Sequence, residues 1–277
     1  MGSILLAYAI GTKYIEDPYM VSLVIIVITL VLLVLAYVIT RSFDRLAEAN
    51  RMKSEFVSIV SHQLRSPLSN LKWTLDLLLS ERVDLDDKKE LEYLKILEEN
   101  TQRMGNLISD LLTVSRIEQG RFTPRKESIS LNELINKIIE EAKVFSKAVN
   151  AEIIFKSGEN LPKIFGDPSQ IKMVITNLLD NAVRYTRNRG KIDIGLSQKG
   201  KNLYFEIKDN GVGIPQEDSK YIFQKFFRSQ NVLKEQTNGS GLGLYIAKSI
   251  IDKAGGKIGF KSQQGSGSTF WFSLPLK

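Results

Sequence analysis

His62 is the only histidine in the chain, within Ser61-His62-Gln63-Leu64-Arg65-Ser66-Pro67-Leu68. An imidazole is the side chain best suited to gain and lose a proton near neutral pH. If His62 does chemistry, no second imidazole shares its work. Far along the chain lie groups that could hold a phosphorylated ligand. Asn177, Asn181, Arg184 and Tyr185 follow at spacings of three and four, which places them on one face of a helix. Two amides, a cation and an aromatic suit a metal–phosphate group with a base beside it, where a plain solvated face is the alternative. Two glycine clusters follow, Asp209-Asn210-Gly211-Val212-Gly213 and Gly239-Ser240-Gly241-Leu242-Gly243-Leu244. Glycines let the backbone approach a phosphate, and the helix after the second cluster supplies N–H groups and a positive dipole end. Phe223, Phe226 and Phe227 lie between the clusters in a polar stretch, as an aromatic latch on a lid would. Neither cluster carries the Lys-Ser/Thr ending of a Walker loop, and neither follows the Rossmann arrangement.

The elements that must position these groups are legible in periodicity. Val57, Val60, Leu64, Leu68, Leu71, Leu75 and Leu78 recur at steps of three and four, as on a bundle seam. His62 lies two positions from Val60 and from Leu64, so it points away from that seam toward solvent. Pro67 removes a helical hydrogen bond and crowds the Gln63 carbonyl, which predicts a bend or loosening. Val83 to Asp87 reads as a turn. A second seam follows at Leu94, Leu97, Thr101, Met104, Ile108, Leu111 and Ser115. Two such helices make an antiparallel hairpin, and its long apolar stripe predicts a homodimer in which two hairpins form a four-helix bundle. Packing of the hairpin on its own C-terminal region is the alternative. After Phe122 strands and helices alternate. A helix is expected over 131–148, a strand over 151–156, and a helix opening at Asp167 as N-cap with Pro168 at its first position. Ile171, Val174, Leu178 and Ala182 should be its core face. Paired strands are expected over 191–196 and 202–208, and a helix over 245–254.

Met20 to Thr40 carries no charge over 21 residues. As a helix it measures about 31 Å, enough to cross the hydrocarbon core. Tyr19 and Tyr37 stand near its ends, where aromatic rings favour the interface. Lys13, Glu16 and Asp17 precede it, and Arg41, Arg45, Arg51 and Lys53 follow. The positive-inside rule puts the N-terminus outside and the rest in the cytoplasm: a single-pass protein of the cell (inner) membrane. Ser3 to Ile10 is apolar but too short to span. The short external segment leaves no room for a folded sensor, so the stimulus is expected from membrane lipid or a membrane sensor partner. The chain has no cysteine and a formal charge of +7. Disulfides and thiolate metal sites are excluded. The basic residues are scattered, which favours a surface near anionic lipid over a nucleic-acid footprint, and no nucleic-acid partner is expected.

Together, residues 54–277 resemble the transmitter core of sensor histidine kinases of two-component systems. Phe56 to Leu68 resembles the phospho-acceptor motif, with His62 at the phosphorylated position. Asn177 to Thr186 resembles the asparagine motif. The resemblance implies that Asn177 and Asn181 hold Mg²⁺ and that Arg184 and Tyr185 contact phosphate and nucleotide; the family usually has lysine where Arg184 stands. Asp209-x-Gly211-x-Gly213 is similar to the first glycine motif, whose aspartate reads the adenine amino group. Phe223 to Phe227 is similar to the phenylalanine motif, Gly239, Gly241, Leu242 and Gly243 to the second glycine motif, and Gly265 to Phe270, with Thr269 as an ATP-binding residue, to the closing glycine turn. The implied fold is α+β multidomain: one transmembrane helix, an antiparallel helical hairpin forming a dimeric four-helix bundle, and an α/β-sandwich ATP-binding domain. The expected boundaries are 1–19 extracytoplasmic, 20–40 transmembrane, 41–54 helical linker, 55–122 dimerisation and phosphotransfer, and 123–277 catalytic. The implied reaction is attack by a ring nitrogen of His62, Nε2 by the resemblance, on the γ-phosphorus of ATP. The phosphate then passes to an aspartate in the receiver domain of a separate response regulator. The chain ends just after its last strand, so no receiver domain of its own is expected.

Two positions depart from the family pattern. The residue after the histidine is usually Glu or Asp and here is Gln63, an amide that can fix the imidazole tautomer but cannot take its proton. A slower kinase is expected. Four residues after the histidine, where Thr or Asn serves dephosphorylation, stands Ser66, whose hydroxyl would have to orient water. Gln63 is also the one feature favouring a silent, nucleotide-binding scaffold. A membrane-anchored ATPase or chaperone would need, by the same resemblance, a water-activating glutamate where Asn177 stands.

Overall fold

The computed structural model describes Lys13 and residues 17–80, 87–148, 151–186, 190–229 and 239–276. The chain divides into two compact units, Met1–Ser66 and Pro67–Lys277. Of the expected turn at 83–87, residues 83–86 lie outside the described residues and Asp87 already belongs to the next helix; the apolar stretch 3–10 and part of the expected lid, 230–238, also lie outside the described residues.

The first unit is built on helix α1, which runs from Pro18 to Leu78 and ends in the second unit. Its start is dictated locally. Asp17 accepts the Tyr19 N–H at 2.9 Å, and Pro18 occupies the first helical position, where its missing N–H costs nothing. No Gly or Pro interrupts residues 19–66. Tyr19–Asp44 is long and apolar enough to cross a membrane. At its charged end the Arg41 guanidinium donates to the Tyr37 hydroxyl at 3.2 Å. The helix does not end at Pro67, which is buried and inside it.

In the second unit α2 spans Asp87–Glu118. Gly120, at φ 67°, ends it: the Arg121 N–H returns to the Arg116 carbonyl at 3.0 Å, satisfying a terminal acceptor. The α/β region follows as β1 (Glu127–Ile129), α3 (Leu131–Ala148), β2 (Glu152–Ser157), β3 (Ile164–Gly166), α4 (Pro168–Tyr185), β4 (Lys191–Lys199), β5 (Asn202–Asp209), α5 (Gly243–Lys253), β6 (Lys257–Gln263) and β7 (Gly267–Pro275). The main sheet has the order β2-β4-β5-β7-β6, with β2 and β4 parallel and the other pairs antiparallel. β1 and β3 form a separate antiparallel pair. Strand alternation sends Ile192, Ile194, Leu196, Leu203, Phe205, Ile207, Phe270, Phe272 and Leu274 to one face, and all are buried. Phe205 and Phe272 stack there with ring centroids 4.7 Å apart. The apolar stripes of α3, α4 and α5 cover this face, giving a two-layer α/β sandwich. Ile171, Val174, Leu178 and Ala182 are buried as expected. The helix at 168–185 starts as its sequence indicates: Asp167 accepts from the N–H groups of Ser169 and Gln170. The expected strands extend to Lys199 and Asp209, and the last helix starts two residues earlier than expected, at Gly243.

Along α2 the structure uses a face next to the expected seam. Leu107, Val114 and Ile117 are buried, whereas seam residues Leu94 and Ile108 remain about half exposed. A shift of one residue is a turn of about 100°. The helix therefore has two apolar faces, one of them seated against α5.

Candidate active site

His62 is exposed on α1, as its offset from the seam requires. The preceding Ser61 hydroxyl donates to the Val57 carbonyl at 2.8 Å, so it satisfies itself within the helix. Gln63 is half-buried and Ser66 exposed.

The remaining candidates gather at one end of the sandwich. α4 brings Asn177, Asn181, Arg184 and Tyr185, all partly buried, toward the two glycine clusters. Asn177 Nδ2 donates to the Gly243 carbonyl at 3.2 Å, joining α4 to the start of α5. Its Oδ1 lies 3.2 Å from where a Cβ on Gly243 would stand, so a side chain there would press on the amide. The Tyr185 carbonyl accepts the Val212 N–H at 3.1 Å, and a Cβ on Gly211 would stand 2.1 Å from that same oxygen. Only glycine fits so close to the end of α4. Gly213, at φ 66°, abuts the Gln263 carbonyl in the same way.

Asp209 ends β5 on the buried face, 4% exposed. Its Oδ1 accepts the N–H groups of Gly211 at 2.9 Å and Ser268 at 3.1 Å. Burial pushes the carboxyl up from its ordinary range, and these two N–H groups hold it back. Gly267, at φ 90°, leaves no space for a side chain because its Cβ would stand 2.1 Å from the Asp209 carbonyl oxygen. The sequence expectation placed Thr269 with this set, but the structure places Ser268 there. Ser268 is buried beside Asp209 and its hydroxyl lies 2.9 Å from that of Ser262. Thr269 pairs with Lys208 and lines the opposite face of the sheet with Lys191, Asp193 and Glu206. One residue along a strand reverses the face.

The second glycine cluster is tied down from two sides. Gly241, at φ 70°, accepts the Phe226 N–H at 2.9 Å, and Phe226 itself is left-handed at φ 61°. A Cβ on Gly241 would stand 2.7 Å from the Phe226 backbone. The latch is thus partly a backbone contact; among the rings, Phe223 meets Phe260 edge-on at 6.0 Å and Phe227 lies 5.7 Å from Tyr221. Leu242, fully buried, precedes α5, and its N–H donates to the Ser240 hydroxyl at 3.2 Å. Beside Gly239, Arg184 Nη1 lies 3.6 Å from the Cβ position. The set fits a purine nucleotide: a buried carboxylate at one end, and side-chain-free backbone with a guanidinium at the other. The side-chain oxygens of Asn177 and Asn181, on the same face of α4, are of the hard-oxygen type that could hold Mg²⁺, a cation that keeps several waters and takes few ligands from the protein. Asp110 and Arg228 join this region without having been singled out in the sequence. Only their positions, Asp110 directly before the seam residue Leu111 and Arg228 directly after the phenylalanines, could have signalled them.

Residues 52–120 match the His Kinase A (phospho-acceptor) domain, and residues 166–277 match the domain described as histidine kinase-, DNA gyrase B-, and HSP90-like ATPase. The chain belongs to the sensor histidine kinases. The two matched domains are those of an ATP-dependent protein-histidine kinase, and His62 lies inside the first of them. Among sensor histidine kinase relatives, GacS of Pseudomonas protegens is 31% identical over 234 residues, which is 83% of this chain and 25% of GacS. The chain spans about a quarter to a third of the length of the curated relatives it matches. In fold it resembles the Acinetobacter baumannii histidine kinase AdeS (TM-score 0.63, 24% identity, 78% of this chain and 98% of that one). It likewise resembles the histidine kinase ThkA in its complex with the response regulator protein TrrA (TM-score 0.64, 24% identity, 80% of this chain and 61% of that one).

Proposed function

We propose that this sensor histidine kinase is a membrane-anchored homodimer that phosphorylates His62 from Mg²⁺-ATP and passes the phosphate to an aspartate of a separate response regulator. The observation that carries the reading is the pairing of one exposed histidine in the phospho-acceptor domain with a glycine-lined nucleotide cradle in the same chain. The neutral imidazole of His62, through Nε2, forms the new N–P bond while the bond from the γ-phosphorus to its bridging oxygen breaks. ADP leaves. Asn177 and Asn181 hold Mg²⁺, which supplies neutralisation of the phosphate charge. Asp209 accepts from the adenine amino group, Gly211 and Gly213 pass under the base, and Gly239 to Gly243 with Arg184 border the phosphates. An amide at Asn177 cannot take a proton from water, so transfer to the imidazole is favoured over hydrolysis.

The partner assignment draws on ThkA, whose complex is with a response regulator protein. The apolar span Tyr19–Asp44 and the cations after it support a single-pass protein of the cell membrane with its kinase domains in the cytoplasm. The exposed apolar residues Val57, Leu68 and Leu75 on α1 and Leu94 and Ile108 on α2 support pairing of two hairpins.

The test is incubation of the full chain with γ-labelled ATP and Mg²⁺ beside His62→Gln. Acid-labile label that disappears in the variant is the expected result, and it identifies the site as well as the activity because no second histidine exists. Label that persists in His62→Gln, or ATP bound without any label, overturns the reading.

A further inference from the structure

At one end of the main sheet, three adjacent strands bring polar side chains together. Asp209 closes β5, Ser268 is the second residue of β7, and Ser262 of β6 is the direct cross-strand partner of Ser268. Partners directly opposite each other share a face of the sheet. The Ser268 N–H donates to Asp209 Oδ1 at 3.1 Å, and the Ser268 and Ser262 hydroxyl oxygens lie 2.9 Å apart. Ser262 Oγ also accepts the Ile214 N–H at 2.8 Å, at the end of the loop that carries Gly211 and Gly213. On its other side the Ser262 hydroxyl donates to the Gly267 carbonyl at 3.0 Å.

These contacts fix the direction of the hydroxyl pair. A hydroxyl has one proton to give and two lone pairs to receive with. The Ile214 N–H can only donate and the Gly267 carbonyl can only accept, so they take one lone pair and the proton of Ser262. A lone pair remains for Ser268, whose hydroxyl must then be the donor. This arrangement makes three bonds at Ser262. Reversing the serine pair gives up the bond to Gly267 and turns the Ser268 proton out of the network. Ser268 therefore spends its proton on Ser262 and keeps only lone pairs for other partners. The ionised carboxyl of Asp209, beside it, likewise offers only acceptors.

We propose that Ser262 is a specificity-determining positioning residue. By taking the Ser268 proton it makes the base end of the cradle acceptor-only, which selects a purine bearing a 6-amino group over one bearing a 6-oxo group. This rests on the reading of Asp209 as the base-reading group of an ATP site. An amino group has two hydrogens to give to such oxygens. A carbonyl oxygen in the same place loses its water and meets lone pairs alone. Ser262 acts through Ser268 and does not itself touch the nucleotide.

The experiment measures the affinity of the full chain, in detergent, for ATP and for inosine triphosphate, which carries a 6-oxo group. The wild type is expected to prefer ATP. Ser262→Ala frees the Ser268 proton to turn toward a 6-oxo group, so the preference narrows roughly tenfold, and Ser262→Thr, which keeps the hydroxyl, restores it. Equal losses for both nucleotides in Ser262→Ala, with the preference intact, mark Ser262 as a support of the fold and overturn the proposal. Ser268→Ala leaves Ser262 and its two backbone bonds in place and tests the same idea without altering β6. It is expected to weaken ATP more than inosine triphosphate, and an unchanged preference there also overturns the proposal. A wild type that binds both nucleotides equally overturns it too, whereas a wild type that binds neither overturns the nucleotide reading itself.

Discussion

At the scale of single residues, Gln63 sets the expected pace of the reaction. In the proposed reaction, attack by Nε2 leaves a proton on Nδ1 that an adjacent carboxylate would draw away, whereas an amide oxygen only accepts a hydrogen bond from it. Gln63→Glu is therefore expected to raise the rate of His62 labelling roughly tenfold, below the roughly 10²–10⁴-fold that a fully engaged base contributes, because the amide already orients the imidazole. A time course of label incorporation reads this directly, and an unchanged rate would show that this side chain does not handle the proton. Ser268 and Thr269 carry a different lesson at the same scale. The sequence Gly267-Ser268-Thr269 offers two neighbouring hydroxyls, and nothing local distinguishes them. The register of β7 against β5 decides that Ser268 shares the buried face with Asp209 while Thr269 pairs with Lys208 on the other.

At the scale of elements, the proposed nucleotide cradle is a set of close backbone crossings. The Tyr185 carbonyl at the end of α4 meets Gly211, and the Asp209 carbonyl at the end of β5 meets Gly267. Such crossings tolerate no Cβ, and turn glycines in open space behave otherwise. Gly211→Ala is expected to cost about 3 kcal/mol or more, in the range of changes that force a backbone shift in a core. Gly265→Ala meets nothing within 4 Å and pays only for its φ of 80°, about 1–2 kcal/mol. Thermal melting of the two variants separates these costs, and equal losses would mean that the Tyr185–Gly211 crossing is not rigid. The elements themselves were readable. Helices at 131–148 and from 168, and the strand pair at 191 and 202, follow from capping and alternation, which act over a few residues. The two apolar faces of α2 were not, because a seam with period near 3.5 leaves its flanking positions looking like ordinary helix surface.

At the scale of the whole molecule, the notable feature is the absence of any glycine or proline between residue 19 and the histidine. Tyr19–Asp44 and the stretch bearing His62 belong to one helix, Pro18–Leu78. A helix transmits rotation and translation along its axis better than a flexible linker would. On the membrane reading, replacing residues 20–40 by an unrelated apolar helix of equal length is expected to preserve His62 labelling but abolish its regulation. Labelling assays in reconstituted membranes with and without the stimulus check this, and retained regulation would place the sensing outside that segment.

The sequence by itself determined which chemistry is available: one histidine, two amides at helical spacing, an aspartate before paired glycines, and the apolar periods that make the helices and strands around them. These signals are local, since caps, turns and amphipathic periods are settled within a few residues of chain. Only the tertiary structure decided which hydroxyl stands beside Asp209, that Phe226 is held through its backbone to Gly241, and that Asp110 of α2 reaches Ser240 across 130 residues of sequence. Those facts depend on strand register and on how one element packs against another. Many registers and packings satisfy the same local pattern, and burial of the shared core selects among them.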